Sequence, residues 1–159
     1  MPFRFLKYLQ PTQYFRLKRQ DQTYVFPKVD KLPKYILEYL SVDESYKSQN
    51  AQDYDLSWQA IQKGYIGNAE TYTAFEKLPV VDEYRFIRKN FHKAWVLYVL
   101  LIRLFSFKNP FKEISAFIKT KDTKRQSFAD HPVTYKNYDA FDSDLIKTQP
   151  LVSVIIPTL

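Results

Sequence analysis

Between residues 84 and 118 the apolar side chains of this chain recur at helical rather than strand spacing, and that pattern constrains the fold more than any other feature. Tyr84, Ile87, Phe91 and Trp95 follow one another at intervals of three and four, with Arg85, Arg88, Lys89, His92 and Lys93 on the opposite side. From Ala94 to Ile102 the sequence is apolar all round, Arg103 interrupts it, and Leu104, Phe105 and Phe107 resume. The spacing predicts one long amphipathic helix over about 83–107. Asn109 and Pro110 predict a turn, and Phe111, Ile114, Phe117 and Ile118 predict a second amphipathic helix over about 111–119. Lys108, Lys112 and Lys119 add to its cationic side. The apolar stretch would be ~21 Å long as a helix, whereas crossing a bilayer takes ~20 apolar residues. It is too short to span. Two placements fit: a buried core helix, or an in-plane helix giving peripheral membrane contact through 84–119.

The remainder reads as shorter elements. Phe3, Phe5, Leu6 and Leu9 suit a short amphipathic helix broken at Pro11, and Gln22 to Val29 reads as extended. Pro33 fits the first turn of a helix over Lys34–Leu40, and Ser41 to Asp53 reads as a polar loop. A helix is expected from Tyr54 to Lys63, with Leu56 and Ile61 apolar and Gly64 just past its end. Another is expected to start at Asn68 or Glu70 and reach Lys77, with Tyr72 and Phe75 on its buried side. The fold class is therefore mainly α, α+β at most. The expected organisation is a helical region over 1–120, a polar connector over 121–149, and a new domain opening at 150–159.

Composition removes several function classes. The only glycines, Gly64 and Gly67, are too few for a glycine-dependent phosphate loop. No cysteine is present, which excludes disulfides, thiolate metal sites and cysteine nucleophiles and makes a cytoplasmic location the default. Met1 to Leu9 lacks the sustained apolar core of a signal peptide. The net charge of +7 invites an anionic membrane surface or a nucleotide-linked substrate. No nucleic-acid-binding module is visible, so no nucleic-acid partner is expected. His92 and His131 have no metal-ligand spacing, and no metal site is assigned. Asp82 and Glu83 read as negative charge at the start of the long helix, complementing its dipole.

Leu151 to Ile156 is a nearly continuous β-branched run closed by Pro157, the composition of a strand buried on both faces. Val152 to Leu159 reads Val-Ser-Val-Ile-Ile-Pro-Thr-Leu and is similar to the first strand of the nucleotide-sugar domain of family 2 glycosyltransferases (GT-A type). Residues 64–68 and 82–92 resemble the N-terminal extension that some bacterial members carry. The resemblance implies a truncated chain: a helical extension plus the first strand (151–156) of an incomplete catalytic domain. It implies a full-length enzyme that transfers a sugar from a nucleoside-diphosphate donor to a saccharide or lipid-linked acceptor. Such an enzyme would use a divalent metal, Mg or Mn, and work in the cytoplasm, peripherally at the inner face of the membrane. Pro157 and Thr158 would line the nucleotide pocket, and no catalytic or metal-binding residue would lie in this chain. Asp142 and Asp144 form an Asp-x-Asp but precede the strand instead of following it, so they are read as a loop or helix start. The fragment is expected to be inactive alone. The rival expectation is a non-catalytic basic helical adaptor that binds a partner protein or an anionic membrane surface.

Overall fold

A computed structural model describes Phe3, Arg4, Leu6, residues 24–127 and residues 132–134 of the chain. Among these residues the architecture is mainly helical, as expected. After a 3-10 turn at Val29–Lys31 come α1 (Lys34–Leu37), α2 (Gln49–Gln62), α3 (Val80–Asn90), α4 (Lys93–Phe105) and α5 (Pro110–Lys119). Helices α3, α4 and α5 pack on one another, and α2 packs against α3.

Local chemistry sets most helix ends. The Ser48 hydroxyl accepts the Ala51 N–H at 3.1 Å and opens α2. Gly64 takes φ +92 just past its end, where the Gly64 N–H reaches Ile61 O and the Tyr65 N–H reaches Ala60 O. This is a Schellman stop, and the missing Cβ is what permits it. Pro110 occupies the first turn of α5, and the Asn109 side chain accepts the Lys112 N–H at 3.2 Å.

The core is aromatic. Phe3 lies on Phe86 with ring centroids 3.7 Å apart and planes inclined by 12°. Tyr54 meets Tyr72 and Phe75 edge-on at 5.2 and 5.0 Å. Such pairs add ~0.5–1.5 kcal/mol each beyond the area they bury. A smaller cluster of Leu32, Ile36, Ala60 and Val133 covers the other end of α2. Several buried charges are paired. Lys89 donates to Asp55 at 2.5 Å, and Arg103 donates to Glu83 at 2.5 Å while Glu113 approaches its Nε at 3.4 Å. Arg103 thus ties α4 to both of its neighbours.

Three expectations need correction. The helix expected over 83–107 is two helices broken at Phe91 and His92, both of which have extended backbone. In a continuous helix Lys89 O would accept the Lys93 N–H. Instead it accepts the Gln126 N–H at 2.7 Å, while Phe91 packs toward Trp58 and Phe86. The expected 111–119 helix is found one residue longer. Second, α2 begins at Gln49, inside the stretch read as loop, whereas α1 stops at Leu37 instead of Leu40. Third, no helix forms over 68–77. Those residues pair antiparallel with the extended 24–28 segment through Lys28 N–H to Glu70 O (2.8 Å), Tyr72 N–H to Phe26 O (3.0 Å) and Tyr24 N–H to Tyr72 O (3.0 Å). The expected strand 151–156 lies outside the described residues, as does most of the expected 121–149 connector.

Candidate functional site

Helix α4 is apolar on every side yet covered on only one. Val96, Val99, Leu100 and Arg103 face the core, at intervals of three, one and three residues. Trp95, Leu97, Tyr98, Leu101 and Phe105 are exposed on the rest of the helix. On α5 the pattern repeats: Glu113 and Ala116 are buried, while Phe111, Ile114 and Ile118 share an exposed face at spacings of three and four. An apolar face left open over two adjacent helices is a candidate interaction surface.

The turn joining them is the most exposed part. Phe105, Phe107 and Phe111 are 80, 98 and 84% exposed. Phe107 has φ +54 and, among the described residues, is the one non-glycine with positive φ. Its N–H bonds Leu104 O at 3.1 Å and the Lys108 N–H bonds Arg103 O at 3.1 Å. This is the same Schellman geometry as at Gly64, here with an aromatic residue where glycine is favoured. A left-handed aromatic residue combines backbone strain with an unburied ring, two penalties that a purely structural turn would avoid.

Cations surround this surface. Lys93, Lys108, Lys112 and Lys119 are exposed, and none makes an ion pair among the described residues. A groove of about 630 Å³ lies between the starts of α3 and α5, where Lys47, Lys77 and Lys112 meet Phe111. Arg103 ties together the three helices that carry hairpin and groove. Burial works to lower the Arg103 pKa, but Glu83 and Glu113 outweigh it and hold the guanidinium more firmly charged than usual. Burial lifts the Glu83 carboxyl above its ordinary value against the pull of Arg103.

The residues singled out from sequence are scattered. Pro157, Thr158, Asp142, Asp144 and His131 lie outside the described residues. His92 begins α4, its Nδ1 accepting the Ala94 N–H at 3.3 Å. Asp82 and Glu83 do sit in the first turn of α3, but both are buried and serve other partners. Asp82 accepts the N–H groups of Lys47 and Ser48 at 2.9 and 3.0 Å. No three His, Cys, Asp or Glu side chains are grouped to hold a metal ion among the described residues. No helix among them is long and apolar enough to cross a membrane. Sequence periodicity identified the aromatic hairpin, but not Phe107's backbone or the two-sided exposure of α4, for which no local signal exists. No protein-family model, curated protein or solved structure matches this chain.

Proposed function

We propose that the α4–α5 hairpin docks the chain onto an anionic membrane surface, in the N-terminal module of a glycosyltransferase that uses a nucleoside-diphosphate sugar and a saccharide or lipid-linked acceptor. The observation that carries the docking reading is the strained, almost fully exposed Phe107 between Phe105 and Phe111. A protruding aromatic tip suits insertion among headgroups, and lysines beside it suit anionic lipid. A second copy of this chain is a poor occupant, because its own Lys108, Lys112 and Lys119 would oppose these. The sugar-transfer context is supported by Val152 to Leu159 as a sequence motif.

Magnitudes set the expected salt response. Burying three phenylalanines contributes on the order of 1.5–3 kcal/mol each, against about 1 kcal/mol for each surface lysine. The apolar part therefore exceeds that of Lys108 and Lys112, the exposed lysines next to the tip in sequence. Flotation with phosphatidylglycerol vesicles should show binding that high salt weakens without abolishing, and that Phe105→Ser, Phe107→Ser and Phe111→Ser together remove. Absence of flotation with every lipid mixture would sink the reading. A concentration-dependent dimer dissolved by the same triple variant would assign the face to a second copy instead.

A further inference from the structure

We infer that a cationic pocket at the base of the hairpin is a binding site for a phosphate monoester or diphosphate group. It rests on residues other than the aromatic tip and stands apart from the docking reading.

The pocket is a cavity of about 280 Å³ lined by Arg88 from the last turn of α3, His92 and Lys93 from the start of α4, and Lys121, Thr123 and Arg125 from the segment after α5. None of its described lining residues is a carboxylate. Arg88, Lys93, Lys121 and Arg125 form no ion pair among the described residues.

The wall is built rather than incidental. Arg88 is clamped: its Nε donates to Thr120 Oγ1 at 3.1 Å, its Nη2 donates to Phe117 O at 3.0 Å, and the guanidinium lies 4.6 Å from the Phe117 ring centre. Its remaining nitrogen, Nη1, has no hydrogen-bond partner among the described residues. Burial lowers the Arg88 pKa, with Asp122 opposing, so this charge is partly desolvated and incompletely compensated. The opposite wall is pinned by Gln126, whose N–H donates to Lys89 O at 2.7 Å and whose Nε2 donates to Ser41 Oγ at 3.3 Å. That pinning holds Thr123 and Arg125 at the cavity. The Thr123 hydroxyl is shielded from solvent and has no hydrogen-bond partner among the described residues.

Cations gathered from three elements around one cavity repel one another, and of these only Arg88 has a packing role among the described residues, against Phe117 and Thr120. A phosphoryl group offsets that repulsion. Its tetrahedral oxygens accept donors from several directions at once and carry up to two charges, and guanidinium and ammonium groups recognise it by complementary means. The positive N-terminal end of α4 at the same wall favours an anion further. At about 280 Å³ the cavity has room for one or two phosphoryl groups.

The ligand has two sources to separate: a soluble phosphate compound and a lipid headgroup. The full chain is titrated calorimetrically with inorganic phosphate and with pyrophosphate at constant ionic strength, and floated with vesicles carrying either a phosphomonoester lipid (phosphatidate) or phosphatidylglycerol. Both measurements are repeated on Lys121→Gln/Arg125→Gln, whose exposed side chains make no hydrogen bonds among the described residues, and on Arg88→Lys. Saturable pyrophosphate binding, weakened at least tenfold in the double variant with an unchanged melting temperature, supports the site with a soluble ligand. A preference for phosphatidate over phosphatidylglycerol vesicles that the double variant loses supports the site with a headgroup ligand. Absence of saturable binding together with no phosphatidate preference would overturn the inference, and so would full binding by the double variant. Phosphatidylglycerol flotation that depends on Phe107 reports only on the docking surface, so the two readings fail separately.

Discussion

Glu83 on α3 and Arg103 on α4 meet at 2.5 Å with both side chains buried, and Glu113 on α5 approaches the same guanidinium at 3.4 Å. One cation therefore holds three helices. Arg103→Ala should destabilise the fold by about 3–5 kcal/mol, because two buried carboxylates lose their partner. Replacing all three with apolar residues of similar volume should recover most of that loss. Urea unfolding of both variants checks this.

The same cluster has a pH signature. Burial raises the Glu83 pKa in the folded state, so the native chain holds that proton more tightly than the unfolded chain does. Its contribution to stability is greatest below the ordinary carboxylate range and falls as pH rises through the raised value. Glu83→Gln should remove this dependence. The stability difference between native chain and variant, followed by urea midpoints across acidic to neutral pH, should decline with rising pH.

Gly64 and Phe107 close two helices with the same hydrogen-bond pattern but opposite side-chain logic. At Gly64 an added Cβ meets nothing within 4 Å, so Gly64→Ala isolates the backbone strain of φ +92 and should cost about 1 kcal/mol. Phe107→Gly should do the reverse, stabilising by roughly 0.5–1 kcal/mol while lowering vesicle partitioning. Thermal melts and flotation on the same samples would show stability and binding moving in opposite directions. A Phe107→Gly chain that melts lower would contradict the strain argument.

Burial raises the Tyr72 pKa from 10.0 to about 12 and lifts Tyr46, Tyr54 and Tyr84 as well. Above pH 10 the unfolded chain releases these protons while the native chain keeps them, so stability falls as pH rises from 10 toward 12. Tyrosinate absorbance should therefore show a late step that coincides with loss of near-ultraviolet circular dichroism. Smooth titration of every tyrosine near pH 10 in a still-folded chain would contradict this.

Asp82 crosses from α3 to satisfy the Lys47 and Ser48 N–H groups ahead of α2. Asp82→Ala leaves two donors unserved and should destabilise by about 2–3 kcal/mol. Asp82→Asn, which retains one acceptor, should lose about half as much. Neither should alter flotation at a temperature where the chain is folded.

Sequence alone determined the features that depend on neighbours along the chain. Period-3.6 apolar spacing gave helical character to the hairpin, Asn109 and Pro110 started α5, and Gly64 stopped α2, because each acts within one or two turns of itself. Ser48 opens α2 by an equally local hydrogen bond, yet it sits in a stretch whose sequence reads as a polar loop. Tertiary structure alone decided the break at Phe91 and His92, because the competitor for Lys89 O is Gln126, 37 residues later in the chain. It also decided that Arg103, which interrupts an apolar run, points inward to Glu83 and Glu113, whereas Trp95, Leu97 and Phe105 are left in solvent. Periodicity reports which residues share a helix face. Which face is covered depends on partners distant in sequence, and so do the aromatic tip and the cationic pocket.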